Sequence, residues 1–146
     1  GLYMDNSNVW FINIDAEEDV ELKATTLIIN STVFSVFAKS GANPQSGGYY
    51  KFNKQFLTPV PFPNAKMNKE NKFTQKLSQL YDKIIAIKTQ YDNVSGQNAI
   101  HYESVLESYW EEVDTICEDM YELDPPDRNE IRKTGRSLNR TSGAER

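Results

Sequence analysis

The chain has one cysteine, Cys117, and one histidine, His101, among its 146 residues. A single thiol cannot form an internal disulfide, and with one imidazole beside it neither a multi-cysteine zinc site nor a transition-metal cluster can be assembled. No apolar run approaches the ~20 residues that a membrane-spanning helix needs. No stretch has the charged, apolar and small-residue order of a signal peptide, so a reducing cytoplasm and no membrane partner are expected. Glycine-rich cofactor loops are also missing: Gly47-Gly48 lacks the further glycine and the helix start that a nucleotide fingerprint requires. No acid, base and nucleophile recur in a catalytic pattern. The residues therefore predict no catalytic, cofactor or metal site within the chain itself.

What is present is one core's worth of apolar residue, 38% of the chain, with 25% charged, a globular rather than a disordered composition. The net charge of −5 hides a sorting of charge into blocks. Nine lysines lie from Lys39 to Lys88 against only Glu70 and Asp82, whereas Glu103 to Asp127 holds ten acids and no Lys or Arg. From Arg128 onward six bases face Glu130 and Glu145. The basic middle and the basic end can each meet a polyanion while the acidic block faces away.

Hydrophobic periodicity divides the chain. Val9-Trp10-Phe11-Ile12-Asn13-Ile14 reads as a strand, beginning so abruptly after Gly1 that the chain is expected to start inside a larger domain. Asp19 is placed to cap one helix running through Ala24, Leu27, Ile28, Ser31, Phe34 and Ala38, ended by Ser40-Gly41-Ala42-Asn43-Pro44. The two-residue period puts Tyr50, Phe52 and Lys54 on one face of a short strand, and Pro59, Pro61 and Pro63 force an edge or an extended lead-out. Phe73, Leu77, Leu80, Ile84, Ile87 and Tyr91 form a heptad-like stripe, and Tyr102, Leu106, Tyr109, Val113, Ile116, Met120 and Leu123 form a second. Two such stripes joined through Ser95-Gly96 predict an antiparallel helical hairpin, with Lys83 and Lys88 available to the acids of its second helix. Pro125-Pro126 should end that helix, leaving a disordered basic tail. The expected architecture is α+β: a small partial sheet with a packed helix over residues 1–66, the hairpin over 67–127 and the tail over 128–146.

Two catalytic look-alikes fail on context. Asp124-Pro125-Pro126-Asp127 resembles the Asp/Asn-Pro-Pro-aromatic motif with which amino-group DNA methyltransferases grip a flipped base. Asp127 cannot supply the stacking ring, and the motif falls at a helix end. Asp15 with Glu21-Leu22-Lys23 loosely matches a magnesium nuclease pattern, but Glu21 and Lys23 fall in a helix's first turn, where acids serve the dipole.

The remaining candidate is Ser46 to Pro63, SGGYYKFNKQFLTPVPFP. Phe52, Phe56, Val60 and Phe62 read as core. Lysines neutralise phosphates, amides read base edges and paired glycines let backbone approach closely, so composition leaves DNA contact and a buried aromatic loop both open. Together with Leu27-Ile28-Ile29-Asn30-Ser31-Thr32-Val33-Phe34, the run Gly47 to Leu57 and Pro59-Val60-Pro61 resembles the "LLNSxLF … GGYFxFxxQFLxxLPIP" pattern. That pattern belongs to the C-terminal target-recognition region of type II and type IIG restriction-modification adenine methyltransferases. Leu80 to Lys88 and Glu112 to Leu123 are similar to two later helices of that family, so the resemblance spans residues 9 to 133 in four ordered blocks. Asn30-Ser31-Thr32 lacks the family's usual Lys or Arg.

The resemblance implies a bacterial, cytoplasmic enzyme, with or without a fused endonuclease. It would move a methyl group from S-adenosylmethionine to the exocyclic amino group of adenine, with cofactor and catalysis belonging to a methyltransferase domain upstream in the same polypeptide. This chain would then recognise double-stranded DNA: Lys51 and Lys54 on phosphate, Asn53 and Gln55 on bases, Gly47 and Gly48 allowing close approach, and Tyr49 or Tyr50 supporting the loop or touching a sugar. The rival reading is a coiled-coil-like module in which the hairpin binds a protein and the aromatic run is only core.

Overall fold

The computed structural model describes residues 19–41, 43–44, 50–51, 59–91 and 96–142. Over these it is helical, which overturns the expected α+β fold with a partial sheet. The extended structure among the described residues is one two-residue antiparallel pairing, Asn43 opposite Lys51 and Pro44 opposite Tyr50, and no helix packs on a sheet. The physical reason is local: the Tyr50 strand is paired for two residues only, too short to present an apolar face. The strand expected at Val9–Ile14 and most of the one expected at Tyr50–Lys54 lie outside the described residues.

The single helix expected from Asp19 to Ala38 is two. Helix α1, Asp19–Ile29, opens with Asp19 and Glu21 in its first turn, matching the macrodipole. Ser31 then leaves the helical region at φ −74°, ψ 158° and its Oγ accepts from Phe34 N, which starts α2, Thr32–Ser40. A second cap comes from far away in sequence. The Asp114 carboxylate accepts from Thr32 N at 2.8 Å and from Thr32 Oγ1 at 2.7 Å, so it satisfies one of the orphan backbone donors of the helix start and holds the neighbouring hydroxyl as well. The axes of α1 and α2 are bent by 59°. Apolar periodicity runs through this break because both helices bury the same side of the chain, including Ala24, Leu27, Ile28 and Val33.

After a 3-10 turn at Asn64–Lys66, Asn71 accepts from Phe73 N at 2.9 Å and α3 runs from Lys72–Tyr91. Helix α4, Gln97–Met120, begins at Gly96, whose φ of 73° is in the left-handed region that glycine tolerates. Tyr91 Oη donates to Glu103 at 2.8 Å and Lys83 Nζ lies over the Tyr109 ring, so sequence numbers fall on one helix as they rise on the other and the pair is antiparallel. Leu77, Leu80 and Ile84 from α3 meet Val113, Ile116, Cys117 and Met120 from α4 in one buried cluster with α1. Helix α1 lies against α3, where Lys23 bridges Asp82 at 2.9 Å and Asp19 at 3.0 Å.

The expected disordered tail is also corrected, because Pro125–Ser142 forms a fifth helix, α5. Helix α4 closes with Leu123 N donating to Glu118 O and Glu122 N to Asp119 O, a Schellman arrangement that holds Glu122 at φ 56°. Asp124 then accepts from Asp127 N at 3.0 Å, and Pro125 takes the first helical position, where its missing N–H costs nothing. The Asp-Pro-Pro-Asp run is thus a stop followed at once by a start. Gly135 of α5 is buried against α2: a Cβ there would lie 2.5 Å from Thr32 Cγ2.

Candidate nucleic-acid interface

The segment read as the DNA-contacting loop is carried between α2 and the 3-10 turn. Of Gly47, Gly48, Tyr49, Tyr50, Lys51, Asn53, Lys54 and Gln55, the structure describes the backbone of Tyr50 and Lys51, paired with Pro44 and Asn43. The other six, with the expected core residues Phe52 and Phe56, lie outside the described residues. Of the remaining expected core positions, Val60 and Phe62 are half-buried, and Phe62 packs against the central cluster.

Both flanks of this segment are fixed to one residue that the sequence did not single out. Tyr121, just past the end of α4, sets its ring 5.7 Å from that of Phe37, in the last turns of α2, and its hydroxyl donates to Pro61 O at 2.7 Å. Burial pushes the Tyr121 phenol well above its ordinary value, with the Cys117 thiol adding to the shift, so it stays a neutral donor at any physiological pH. On the exit side Lys66 Nζ donates to Met120 O at 2.9 Å and pairs with Glu122 at 3.0 Å. Thr74 Oγ1 in turn donates to Lys66 O at 2.7 Å. Phe37 on the entry side and Pro61 on the exit side therefore meet at one residue, Tyr121.

The corner that carries Tyr121 is held by charge on its other side. Arg132 of α5 donates through Nε at 2.8 Å and Nη2 at 2.7 Å to the two oxygens of Glu118, a bidentate pair on a carboxylate that is almost fully buried. Arg132 Nη1 also pairs with Glu111. These hydrogen bonds, Glu118's first, raise the Arg132 guanidinium above its already high ordinary value. Arg128, one turn earlier, reaches Leu123 O at 2.8 Å and Asp119 at 2.8 Å. Acids that read as a block in the sequence are thus partly consumed internally by bases from the C-terminal block. A run of ten acids gave no sign of which would be buried, since burial depends on the position of α5.

The catalytic look-alikes resolve into structure. Glu21 accepts from Lys69 N, Lys23 is engaged by Asp82 and Asp19, and Asp15 lies outside the described residues. His101 is exposed beside the Tyr102 ring. Cys117 is fully buried, and burial pushes its thiol up to about 12, which keeps it from acting as a thiolate nucleophile near neutral pH. Lys83 and Lys88 have no carboxylate at ion-pair distance among the described residues; the Lys83 ammonium faces the Tyr109 ring instead. Among the described residues, no single helix is long and apolar enough to cross a membrane; the bent α1–α2 pair passes on length and composition alone. No family model, curated protein or solved structure matches the chain.

Proposed function

We propose that this chain is a sequence-specific DNA-recognition module of a restriction-modification adenine methyltransferase. Methyl transfer from S-adenosylmethionine would be carried out by an upstream domain of the same cytoplasmic polypeptide. The observation that carries the reading is the convergence of both flanks of residues 42–58 on Tyr121. A rigid helical body that grips the two ends of a lysine-, amide- and glycine-bearing segment suits binding by a loop on a scaffold. In this reading Lys51 and Lys54 meet phosphates, Asn53 and Gln55 meet base edges, and the helices supply position rather than chemistry.

The test is duplex binding by fluorescence anisotropy over a salt series, with the full chain and with Lys51→Ala/Lys54→Ala. Two lost phosphate contacts should reduce the slope of log K against log salt by about 2. Tyr121→Ala, which removes no charge, should weaken duplex binding while leaving the salt slope nearly unchanged. Unaltered affinity in both variants would overturn the assignment and favour the protein-interaction reading. Fusion to a catalytic domain then asks whether the same lysine pair lowers methylation at the recognised site.

A further inference from the structure

Three lysines on α3 share one side of that helix. At about 100° per residue, Lys72, Lys76 and Lys83 fall with Gln79, Ala86 and Gln90 on one exposed row, turned away from Leu77, Leu80 and Ile84. In a chain with more acids than bases this row contains no carboxylate. None of its lysines has an acidic partner at ion-pair distance among the described residues. Asp82, the acid nearest in sequence, is taken by Lys23 from α1.

These lysines do not serve the helix that carries them. The first turn of α3 has no acid, and Lys72 and Lys76 stand at the end where the macrodipole disfavours cations. A solvated helix face is commonly laced with i,i+4 acid–base pairs, and this row has none. Two of the ammonium groups are nevertheless oriented. Lys72 Nζ sits 4.9 Å from the Phe73 ring centre and Lys83 Nζ 5.9 Å from that of Tyr109. Ring faces hold a cation without neutralising it. Exposed carboxylates stand on the neighbouring α4 at Glu103, Glu107 and Glu112, and none is at ion-pair distance from the row.

We propose that the Lys72–Lys76–Lys83 row of α3 is a second, sequence-independent contact for the phosphate backbone of duplex DNA. It rests on the DNA reading above and adds to it. At about 1.5 Å of rise per residue the three Cα positions span ~16 Å. That is roughly five base steps at about 3.4 Å each along a strand, enough for one straight helix edge to meet several phosphates.

The experiment compares the full chain with Lys72→Gln/Lys76→Gln/Lys83→Gln. The control is Lys88→Gln, an exposed lysine off the row; far-ultraviolet circular dichroism checks that each variant folds. Anisotropy is read on two duplexes of equal length and unrelated sequence. The expected result is a salt slope smaller by about 2 to 3 in the triple variant, equal on both duplexes, with little change for Lys88→Gln. An unchanged slope, or a per-lysine loss equal to that of Lys88→Gln, overturns the row. If the triple variant behaves as expected while Lys51→Ala/Lys54→Ala changes nothing, the row stands and the loop assignment falls. The reverse pattern separates the two the other way. Self-association of the chain at low salt without DNA, abolished in the triple variant, would give the row to exposed carboxylates of a second copy and overturn the proposal. So would failure of the unaltered chain to bind either duplex at low salt.

Discussion

The two flanks of α4 are held by different physics. On one side α3 and α1 meet it through Leu77, Leu80, Ile84, Val113 and Ile28, a contact made of buried carbon. On the other, α2 and α5 add carboxylate contacts to the Val33, Phe37 and Ile131 packing they share with that cluster: Asp114 on the start of α2 and Glu118 on Arg132 of α5. Apolar contact is non-directional and tolerates sliding, whereas a bidentate pair and a two-point cap fix register. The flank that carries the corner of Tyr121 is the one with fixed register.

Leu77→Ala should break the apolar flank most deeply. Leu77 is fully buried, so about 3–5 kcal/mol of unfolding free energy should be lost, read by urea melts and independent of salt. Glu118→Ala attacks the other flank. Removing one member of a buried pair strands its partner, and because the Arg132 side chain keeps 21% exposure it can turn to water, which holds the loss to about 3 kcal/mol. The loss should be local: amide exchange should accelerate in α5 while α3 and the adjoining part of α4 stay protected. Uniform loss of protection would mean that the two flanks are one cooperative unit.

Gly135→Ala tests the close approach of α5 to α2. The new Cβ would meet Thr32 Cγ2, and Thr32 cannot simply rotate away because its hydroxyl is held by Asp114. A destabilisation of about 1–3 kcal/mol is expected despite alanine's better helix propensity; a gain in stability would show that the helices part freely. The smallest effect near neutrality is that of Cys117, which lies where both flanks meet. Its thiol titrates at about 12 when folded, against an ordinary 9.0, so the folded chain keeps a proton that the unfolded chain loses. The contribution is whole below pH 9.0 and falls by about 1.4 kcal/mol per pH unit as pH rises toward the folded value. Alkaline melts of Cys117→Ala should therefore fall less steeply than those of the parent chain.

Helix positions were the most legible part of this sequence. The stripe from Phe73 to Tyr91 lies on α3, and Val113, Ile116 and Met120 of the second stripe are buried on α4, because a helix must present one apolar side wherever it packs. The sheet is what the sequence does not support: among the described residues two residues of pairing do not make one, and the strand expected at Val9–Ile14 lies outside them. The tail reads as disordered because its helix is too polar to fold alone. Its stability comes from Arg128, Arg132 and Gly135 meeting groups supplied by other helices. Of the candidate site, residue types were legible and support was not; Tyr121 was one aromatic among eight tyrosines until Phe37 and Pro61 were found on either side of it.

By itself the sequence determined where the amphipathic helices lie, the sorting of charge into basic and acidic blocks, and the absence of disulfide or multi-cysteine metal chemistry, since periodicity and composition act locally. The tertiary structure decided which acids become internal fasteners and which face outward, that Ser31 and Asp114 break one apolar run into two helices, and that Asp82 is taken by Lys23 of α1. Each of these depends on what a second element places within a few ångströms, and no spacing along a single chain encodes that.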